Sequence, residues 1–291
     1  MFDSFIDLFT FNLVFRVISL LILGLCVGSF LNVVVYRLPI MLQKTWRNQC
    51  LEVLGDECKL AADTSKFNLS TPSSHCPKCK AKIPAWTNIP LLGFILIGGK
   101  CIKCKAKISF RYPIVELVCG ILFALVGYQF VSLWAILGSL IFVAMILSLM
   151  LIDLDTFLLP DELTLPLVWI GLLFNLNGAI SGSLINSVVG AIIGYMSLWS
   201  LYWAFKLITK KEGMGYGDFK ILAAIGAWLG WQNLVSVLLV SSCLGVIYAI
   251  SLRISGKLEQ GNPIPFGPFL GGAGIVTLLF SMHLFPVIIP S

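Results

Sequence analysis

Two groups of acidic residues adjoin apolar segments of this chain, where carboxylates can do acid–base chemistry. Asp153, Asp155 and Asp161 follow a long apolar run, and Asp218 ends the glycine-rich stretch 213–218. Two carboxylates held close together share one proton, so one can activate a water molecule while the other donates a proton. Asp153 and Asp218 are the best pair because each directly adjoins an apolar segment. Asp155 and Asp161 remain alternative partners for Asp218.

Histidine-based hydrolysis is disfavoured because the chain has only two histidines, His75 and His283. His75 adjoins a cysteine motif, and His283 lies near the far end of the last apolar segment. A Ser-His-Asp arrangement beside the acids would have to borrow His75. The sequence contains no His-Glu-x-x-His metalloprotease motif. Carboxylate chemistry is therefore the best-supported hydrolytic reading.

Four of the nine cysteines form two Cys-x-x-Cys motifs, Cys76 with Cys79 and Cys101 with Cys104. Each motif directs two sulfur atoms to one centre, and two motifs supply the four thiolates of a closed tetrahedral zinc site. A complete thiolate shell leaves no open position, so we predict a structural role for the metal. Disulfides are the alternative, which a reducing cytoplasm disfavours. Cys50 and Cys58 lack a Cys-x-x-Cys partner and are predicted to be free thiols.

The composition indicates that these motifs belong to a membrane protein. Of 291 residues, 58% are hydrophobic and 12% are charged, whereas a soluble domain has roughly 25% charged residues. A soluble enzyme, a disordered chain and a collagen-like repeat are therefore excluded. The net charge of +6 does not indicate nucleic-acid binding, because the basic residues are not interleaved with a stacking surface. We predict an all-α polytopic membrane protein.

Eight apolar segments predict about eight transmembrane helices. The first covers residues 13–35, and seven more follow at about 113–130, 133–152, 163–178, 184–208, 219–231, 233–252 and 267–288. Several are shorter than the ~20 residues that cross a ~30 Å hydrocarbon core. The segment 219–231 is the shortest of them, so it predicts either a partial span or a helix that extends into flanking charged residues.

The segment between the first two predicted helices has a different composition. Residues 37–112 contain 13 of the 20 basic residues and six of the nine cysteines. We predict three parts: a first transmembrane helix in 1–36, a small zinc-stapled cytoplasmic domain at 37–112 and a seven-helix membrane core at 113–291. The apolar stretch 89–99 predicts either a small core or a segment that rests on the membrane surface.

The distribution of basic residues predicts the orientation. With eight spans, 19 of the 20 basic residues lie in or beside the loops after the odd-numbered spans, and only Arg16 lies toward the other side. The positive-inside rule places those loops in the cytoplasm and both termini outside it. Asp153 and Asp218 then lie on the same side of the membrane, so they can meet.

Six separated blocks of the chain resemble the bacterial prepilin peptidases, also called type IV leader peptidases, which are membrane aspartyl proteases with a Gly-x-Gly-Asp motif. The blocks follow the family's order along the whole chain: Gly28–Pro39, the double Cys-x-x-Cys loop, Arg111–Leu117, Leu159–Pro166, Lys211–Lys220 and Pro263–Pro268. The resemblance implies a bifunctional enzyme of the bacterial inner membrane, with its zinc domain and active site facing the cytoplasm.

The same resemblance implies the reaction and its residues. Family members cut the basic leader from type IV prepilins and type II secretion pseudopilins, then methylate the new N-terminal amine with S-adenosylmethionine. It implies that Asp153 and Asp218 are catalytic, that the four motif cysteines bind zinc, and that the partners are lipid and the pilus or secretion machinery. No Gly-x-Gly-x-x-Gly motif marks a Rossmann-type methyltransferase site. Gly99, Lys100 and Glu116 are candidates for that site, against simple turn or packing roles.

Further acids are predicted to attract the basic leader, although attraction at exposed sites is weak. These acids are Asp155, Asp161, Glu162 and Glu212. Three other functions stay open: a small transporter with a zinc-stapled loop, a non-catalytic assembly factor of a pilus or secretion machine, and a methyltransferase without peptidase activity. A transporter places its polar residues near the bilayer midplane, whereas the acids here are predicted at one face.

Overall fold

The computed structural model describes residues 2–54, 65–211, 213–256 and 264–284. This part of the chain is helical, with two isolated β-bridges and no strand, so the predicted all-α class is confirmed. The ten helices are α1 Phe2–Phe11, α2 Leu13–Leu54, α3 Leu92–Leu96, α4 Arg111–Gln129, α5 Leu133–Thr156, α6 Asp161–Phe174, α7 Leu184–Thr209, α8 Tyr216–Leu229, α9 Leu234–Ile254 and α10 Gly267–Leu284.

Five described segments are helical, long and apolar enough to cross a membrane: α2, α4, α5, α7, and α9 with the turn before it. The other three predicted spans coincide with α6, α8 and α10, which have 14, 14 and 18 residues. Helix α8 is short but has nearly every side chain from Asp218 to Leu229 buried. A helix that is apolar all round and buried packs against protein rather than lipid.

Helix α2 continues well past the predicted first span. It runs without interruption to Leu54, with Pro39 inside it, so the border predicted after residue 36 falls within this helix. Residues 40–54 contain no glycine or proline and are mostly good helix formers. Hydropathy marks where the apolar segment ends, whereas helix propensity decides where the helix ends.

The chain forms two compact units, Val17–Ala124 and Met1–Arg16 with Leu125–Ser291. In the first unit, α2 packs on α4 through small residues. A Cβ on Gly24 would lie 2.8 Å from the carbonyl oxygen of Cys119, and one on Gly28 would lie 2.8 Å from the Cα of Glu116. Small residues let the backbones of membrane helices approach closely.

A buried arginine fixes the segment before the first cysteine motif. Arg37 of α2 donates hydrogen bonds to the carbonyl oxygens of Asn68 at 2.9 Å and Pro72 at 2.6 Å. Its guanidinium also lies over the ring of Phe67, at 5.8 Å from the ring centroid. The segment 67–72 is thereby held on α2 within the first unit.

In the second unit, α8 is enclosed by α6, α7 and α10. Helices α7 and α8 cross at Gly190 and Gly226, where a Cβ on either glycine would lie within 2.3 Å of the other's carbonyl oxygen. The indole of Trp228 packs on Gly171 of α6 and donates to the carbonyl oxygen of Leu167 at 2.8 Å. These close contacts fix the axis of the helix that carries Asp218.

Asn175 holds the far end of α8. Its side-chain amide donates to the carbonyl oxygens of Ala227 and Trp228, both at 3.0 Å, and its side-chain oxygen accepts from the N–H groups of Ile180 and Ser181. The last carbonyls of a helix lack partners within it. The fully buried Asn175 supplies partners for two of them.

Arg16, the basic residue predicted on the opposite side, is buried and bonded to backbone carbonyls. It donates to the carbonyl oxygens of Gly127 and Thr10, each at 2.7 Å. These oxygens lie in the last turns of α4 and α1, at the negative ends of the two helix dipoles. The charge of Arg16 is therefore neutralised by helix ends.

Candidate active site and metal centre

The first predicted catalytic residue, Asp153, is buried in the last turns of α5. Its Oδ2 accepts a hydrogen bond from the backbone N–H of Gly267, the first residue of α10, at 3.0 Å. The first N–H groups of a helix have no partner within the helix, so a carboxylate there is well placed. A Cβ on Gly267 would lie 2.6 Å from the same Oδ2. Only glycine at this position allows the present contact.

The second predicted residue, Asp218, is buried in the first turn of α8. Its N–H donates to the carbonyl oxygen of Gly215 at 3.2 Å, and its Oδ2 would lie 3.9 Å from a Cβ added to Gly215. Gly217 packs directly on Leu159, which would lie 2.7 Å from an added Cβ. The same Leu159 side chain lies beside Gly267, at 3.3 Å from the position of an added Cβ. Leu159 thus packs against the glycine neighbours of both aspartates.

The structure brings Asp153 and Asp218 together at the ends of α5 and α8, and the two carboxyl groups interact electrostatically. Both side chains are at least nine-tenths buried. Neighbouring carboxylates share one proton, and they titrate as a pair. The arrangement can therefore supply a general base and a general acid to one substrate bond.

The alternative partners lie elsewhere. Asp155 is exposed, and Asp161, in the first turn of α6, forms an ion pair with Lys220 of α8 at 2.6 Å. Glu162 is exposed, and Glu212 lies outside the described residues. No role was predicted for Lys220 from the sequence, although its position two residues after Asp218 could have indicated that it lies near the candidate site.

Gly267 and Leu159 were also assigned no role from sequence. Both lie in blocks that resemble the family, Pro263–Pro268 and Leu159–Pro166. Gly267 acts through its backbone N–H and Leu159 acts through close packing, and neither feature can be read from residue type. The structure identifies them as neighbours that position the two aspartates.

The four motif cysteines form one cluster. Their sulfur atoms all lie within 4.8 Å of one another, with Cys76 to Cys104 at 3.7 Å and Cys79 to Cys101 at 3.9 Å. Zn–S bonds of ~2.3 Å in a tetrahedron place the sulfur atoms about 3.8 Å apart. The cluster therefore fits a tetrahedral thiolate site, and its thiols are free rather than joined in disulfides.

The two motifs have the same local fold. In each, the first cysteine N–H donates to the alanine carbonyl five residues on, and a lysine with positive φ, Lys80 or Lys105, turns the chain. The backbone N–H groups of Cys79 and Lys78 lower the pKa of the Cys76 thiol to about 6. Thiolate is the form that binds a metal. Cys50 is a free thiol, as predicted, and its side chain is exposed, while Cys58 lies outside the described residues.

The methyltransferase candidates have identifiable local environments. Gly99 has a φ of +64° and packs on the ring of Phe94, which would lie 2.9 Å from an added Cβ. Lys100 is exposed. Glu116 is buried in α4, and its Oε2 accepts a hydrogen bond from the N–H of Leu91 at 2.9 Å. Glu116 thus has a structural partner.

Comparison with known proteins places these features in a family context. Residues 22–130 match the bacterial peptidase A24 N-terminal domain, and residues 140–250 match the type IV leader peptidase family. No solved structure matches the chain.

Curated relatives are similar over most of their length. The chain is 49% identical to the prepilin leader peptidase/N-methyltransferase of Stutzerimonas stutzeri, over 91% of this chain and 90% of that protein. It is 49% identical to the protein of the same name from Aeromonas salmonicida, over 93% and 90%. For the one from Pseudomonas aeruginosa the identity is 47%, over 91% and 90%.

Proposed function

The chain belongs to the type IV leader peptidase family, and we propose that Asp153 and Asp218 carry out its peptidase reaction. Like its relatives, the protein removes the leader of a prepilin and methylates the new N-terminal residue. The observation that carries the assignment is that both aspartates are buried and that one side chain, Leu159, packs against Gly217 beside Asp218 and against Gly267, which donates to Asp153. A non-catalytic assembly factor and a transporter are not favoured.

We place the protein in the bacterial inner membrane with eight helices across it, namely α2 and α4 to α10. Five long apolar helices support this placement, and the one-sided distribution of the basic residues supports a cytoplasmic position for the cysteine cluster and the aspartates. Helix α8 can be shorter than the hydrocarbon core because it is enclosed by protein.

In the proposed cleavage, one carboxylate takes a proton from water as the water oxygen attacks the scissile carbonyl carbon. The other carboxyl group gives its proton to the amide nitrogen as the C–N bond breaks. Burial of Asp153 and Asp218 keeps bulk water away and strengthens their interaction with the developing charge. Gly215 leaves room for a substrate strand beside Asp218, since a Cβ there would meet only Asp218 Oδ2, at 3.9 Å.

We propose that the basic leader is attracted by Asp155 and Glu162, which are both exposed. Asp161 is a further candidate, and it also forms an ion pair with Lys220. Attraction at such exposed positions is worth at most about 1 kcal/mol for each pair. It therefore orients the leader and supplies little of the total affinity. The proposed substrates are type IV prepilins and type II secretion pseudopilins. The proposed partners are the type IV pilus and type II secretion machineries that use them.

We propose that the cysteine cluster holds one structural zinc ion. The sulfur separations match those of a tetrahedral site, and the four thiolates leave no open position for catalysis. The surrounding segment has two short cysteine turns and little apolar core of its own. Metal ligation is therefore its main source of stability.

S-adenosylmethionine supplies the methyl group when it is bound. We propose that Lys100, beside the second cysteine motif, contacts the cofactor or the substrate chain, because it is exposed next to the turn at Gly99. Glu116 contributes by holding Leu91 and the segment that follows it. The protein would methylate the new N-terminal amine, with S-adenosylhomocysteine leaving as the S–C bond to the methyl group breaks and one proton released from the amine.

Incubation of the purified protein with a prepilin that carries a basic leader tests the proposal. The product is weighed with and without S-adenosylmethionine. Loss of the leader in both samples, and a gain of one methyl group only with the cofactor, are the expected results. An unchanged prepilin mass, from a folded protein, would contradict the proposed peptidase function. A methyl gain without loss of the leader would leave a methyltransferase alone.

A further inference from the structure

The short helix α3 presents three apolar side chains that no described part of the chain covers. Leu92 is 58% exposed, Ile95 68% and Leu96 70%. Trp86 and Ile89, just before the helix, are also exposed. The sequence left two possibilities for this stretch, a small core or a membrane-surface segment. Phe94 packs against Phe110, but most of the other large side chains of the stretch are left exposed. Several large apolar side chains exposed within one short segment are typical of an interaction surface.

The hydrogen bond between Leu91 and Glu116 fixes the depth of α3 relative to α4. Leu91 is the residue before α3, and its N–H donates to Glu116 Oε2 at 2.9 Å. Helix α4 has 19 residues, so at ~1.5 Å per residue it is about 28 Å long, close to the ~30 Å of the hydrocarbon core. Glu116 is five residues after Arg111, which places it roughly 7 Å from the start of α4.

This depth matches that of helices that lie in the membrane interface. Such helices bury their apolar face ~5–10 Å into the boundary between headgroups and acyl chains. Because Leu91 contacts Glu116, α3 lies beside α4 at the corresponding level. Its uncovered side chains, Leu92, Ile95 and Leu96, then have acyl chains as their natural neighbours.

The flanking residues also fit a lipid surface. After α3, Gly98 and Gly99 have φ values of +60° and +64° and turn the chain. Trp86 precedes the helix, and tryptophan is enriched at membrane–water interfaces. The two cysteine turns carry exposed lysines: Lys78, Lys80, Lys82, Lys100, Lys103, Lys105 and Lys107. Basic clusters next to a membrane helix are attracted to anionic lipid headgroups.

We propose that Trp86, Ile89 and α3, together the α3 anchor, insert into the interface of an anionic phospholipid bilayer. The anchor and the lysines hold the cysteine module against the membrane beside α4. Glu116 contributes by accepting the backbone N–H of Leu91, which would otherwise lack a partner at this depth. A carboxylate so bonded costs less at the boundary than one without a partner.

Site-specific photocrosslinking tests the α3 anchor in the intact protein. A photoreactive amino acid replaces Ile95 or Leu96, and the protein is reconstituted in vesicles of phosphatidylethanolamine and phosphatidylglycerol. Ile121, an exposed residue within α4, is the positive control. Val53 is the matched negative control, because it is an exposed apolar residue of α2 in the part beyond the first apolar segment. Each protein is first checked for monodisperse elution and an unchanged Tm.

The expected result is a mass gain of one phospholipid on proteins labelled at 95, 96 and 121, and none at 53. Absence of lipid adducts at both 95 and 96, with adducts present at 121, would overturn the proposal. Crosslinks from 95 and 96 to a second protein chain in place of lipid would also overturn it, and would assign the patch to a protein partner.

Discussion

The carboxylate of Asp153 accepts the first backbone N–H of α10, from Gly267, at 3.0 Å, so one end of the candidate catalytic pair is bonded to a helix start. Asp153 also interacts electrostatically with Asp218. The geometry of the pair therefore depends on three helices, α5, α8 and α10. Substitutions at Gly267, which bears no reactive group, are expected to affect cleavage.

Replacement of Gly267 by alanine is expected to lower the rate of prepilin cleavage. The new Cβ would lie 2.6 Å from Asp153 Oδ2, so the carboxylate or α10 must move. A misplacement of ~1 Å can reduce a rate about 100-fold. The matched control is Gly272→Ala, also in α10, where the nearest atom lies at an ordinary 3.7 Å. Equal cleavage rates for the two variants would contradict this role of Gly267.

The ion pair between Lys220 and Asp161 is expected to have a small effect. Its side chains are 30% and 52% exposed, and exposed pairs contribute about 0.2–1 kcal/mol. Lys220→Ala and Asp161→Ala should each lower cleavage by at most about fivefold, the factor that corresponds to ~1 kcal/mol. The double variant Asp161→Lys with Lys220→Asp should restore part of the lost cleavage rate. A loss of the size expected for a catalytic residue would show that Lys220 takes part in the reaction.

Loss of one cluster cysteine is expected to remove the metal. Cys104→Ser leaves three thiolates, so zinc measured by elemental analysis should fall to background, and proteolysis within residues 65–111 should accelerate. Cys50→Ser is the control, since Cys50 is a free thiol on α2. Full zinc content in the Cys104→Ser protein would contradict the four-cysteine site.

Substitutions near the second cysteine motif are expected to separate the two activities. Lys100→Ala should lower methylation while leader removal continues, and Glu116→Gln should do the same by weakening the bond to Leu91. Lys103→Ala, a neighbouring exposed lysine, should leave both activities unchanged. Unaltered methylation in both test variants would remove these residues from the methyltransferase site.

The helices were largely predictable because apolar runs determine where a chain can be buried. Each predicted apolar segment falls on a helix of the structure, except that residues 285–288 lie outside the described residues. The continuation of α2 to Leu54 was not predicted, because hydropathy carries no information on a helix that leaves the apolar region. The cysteine cluster was predictable from spacing alone, since each Cys-x-x-Cys turn is a local structure.

The sites were predictable only in part. Residue type and position selected Asp153 and Asp218, and the structure brings these two together, while their catalytic roles stay a prediction. The contact of Asp161 with Lys220 and the contact of Asp153 with Gly267 were not predictable, because both join residues that are far apart in sequence. The role of Glu116 was also hidden, since its partner is a backbone N–H.

The catalytic pair is tested most directly by comparing the variants Asp153→Asn and Asp218→Asn with Asp155→Asn in a prepilin cleavage assay. Each asparagine keeps the size of the side chain but cannot exchange the proton that acid–base catalysis requires. No detectable cleavage is expected from the first two variants, with normal membrane insertion, and near-normal cleavage is expected from Asp155→Asn. Cleavage at the normal rate by either Asp153→Asn or Asp218→Asn would contradict the catalytic role of the pair.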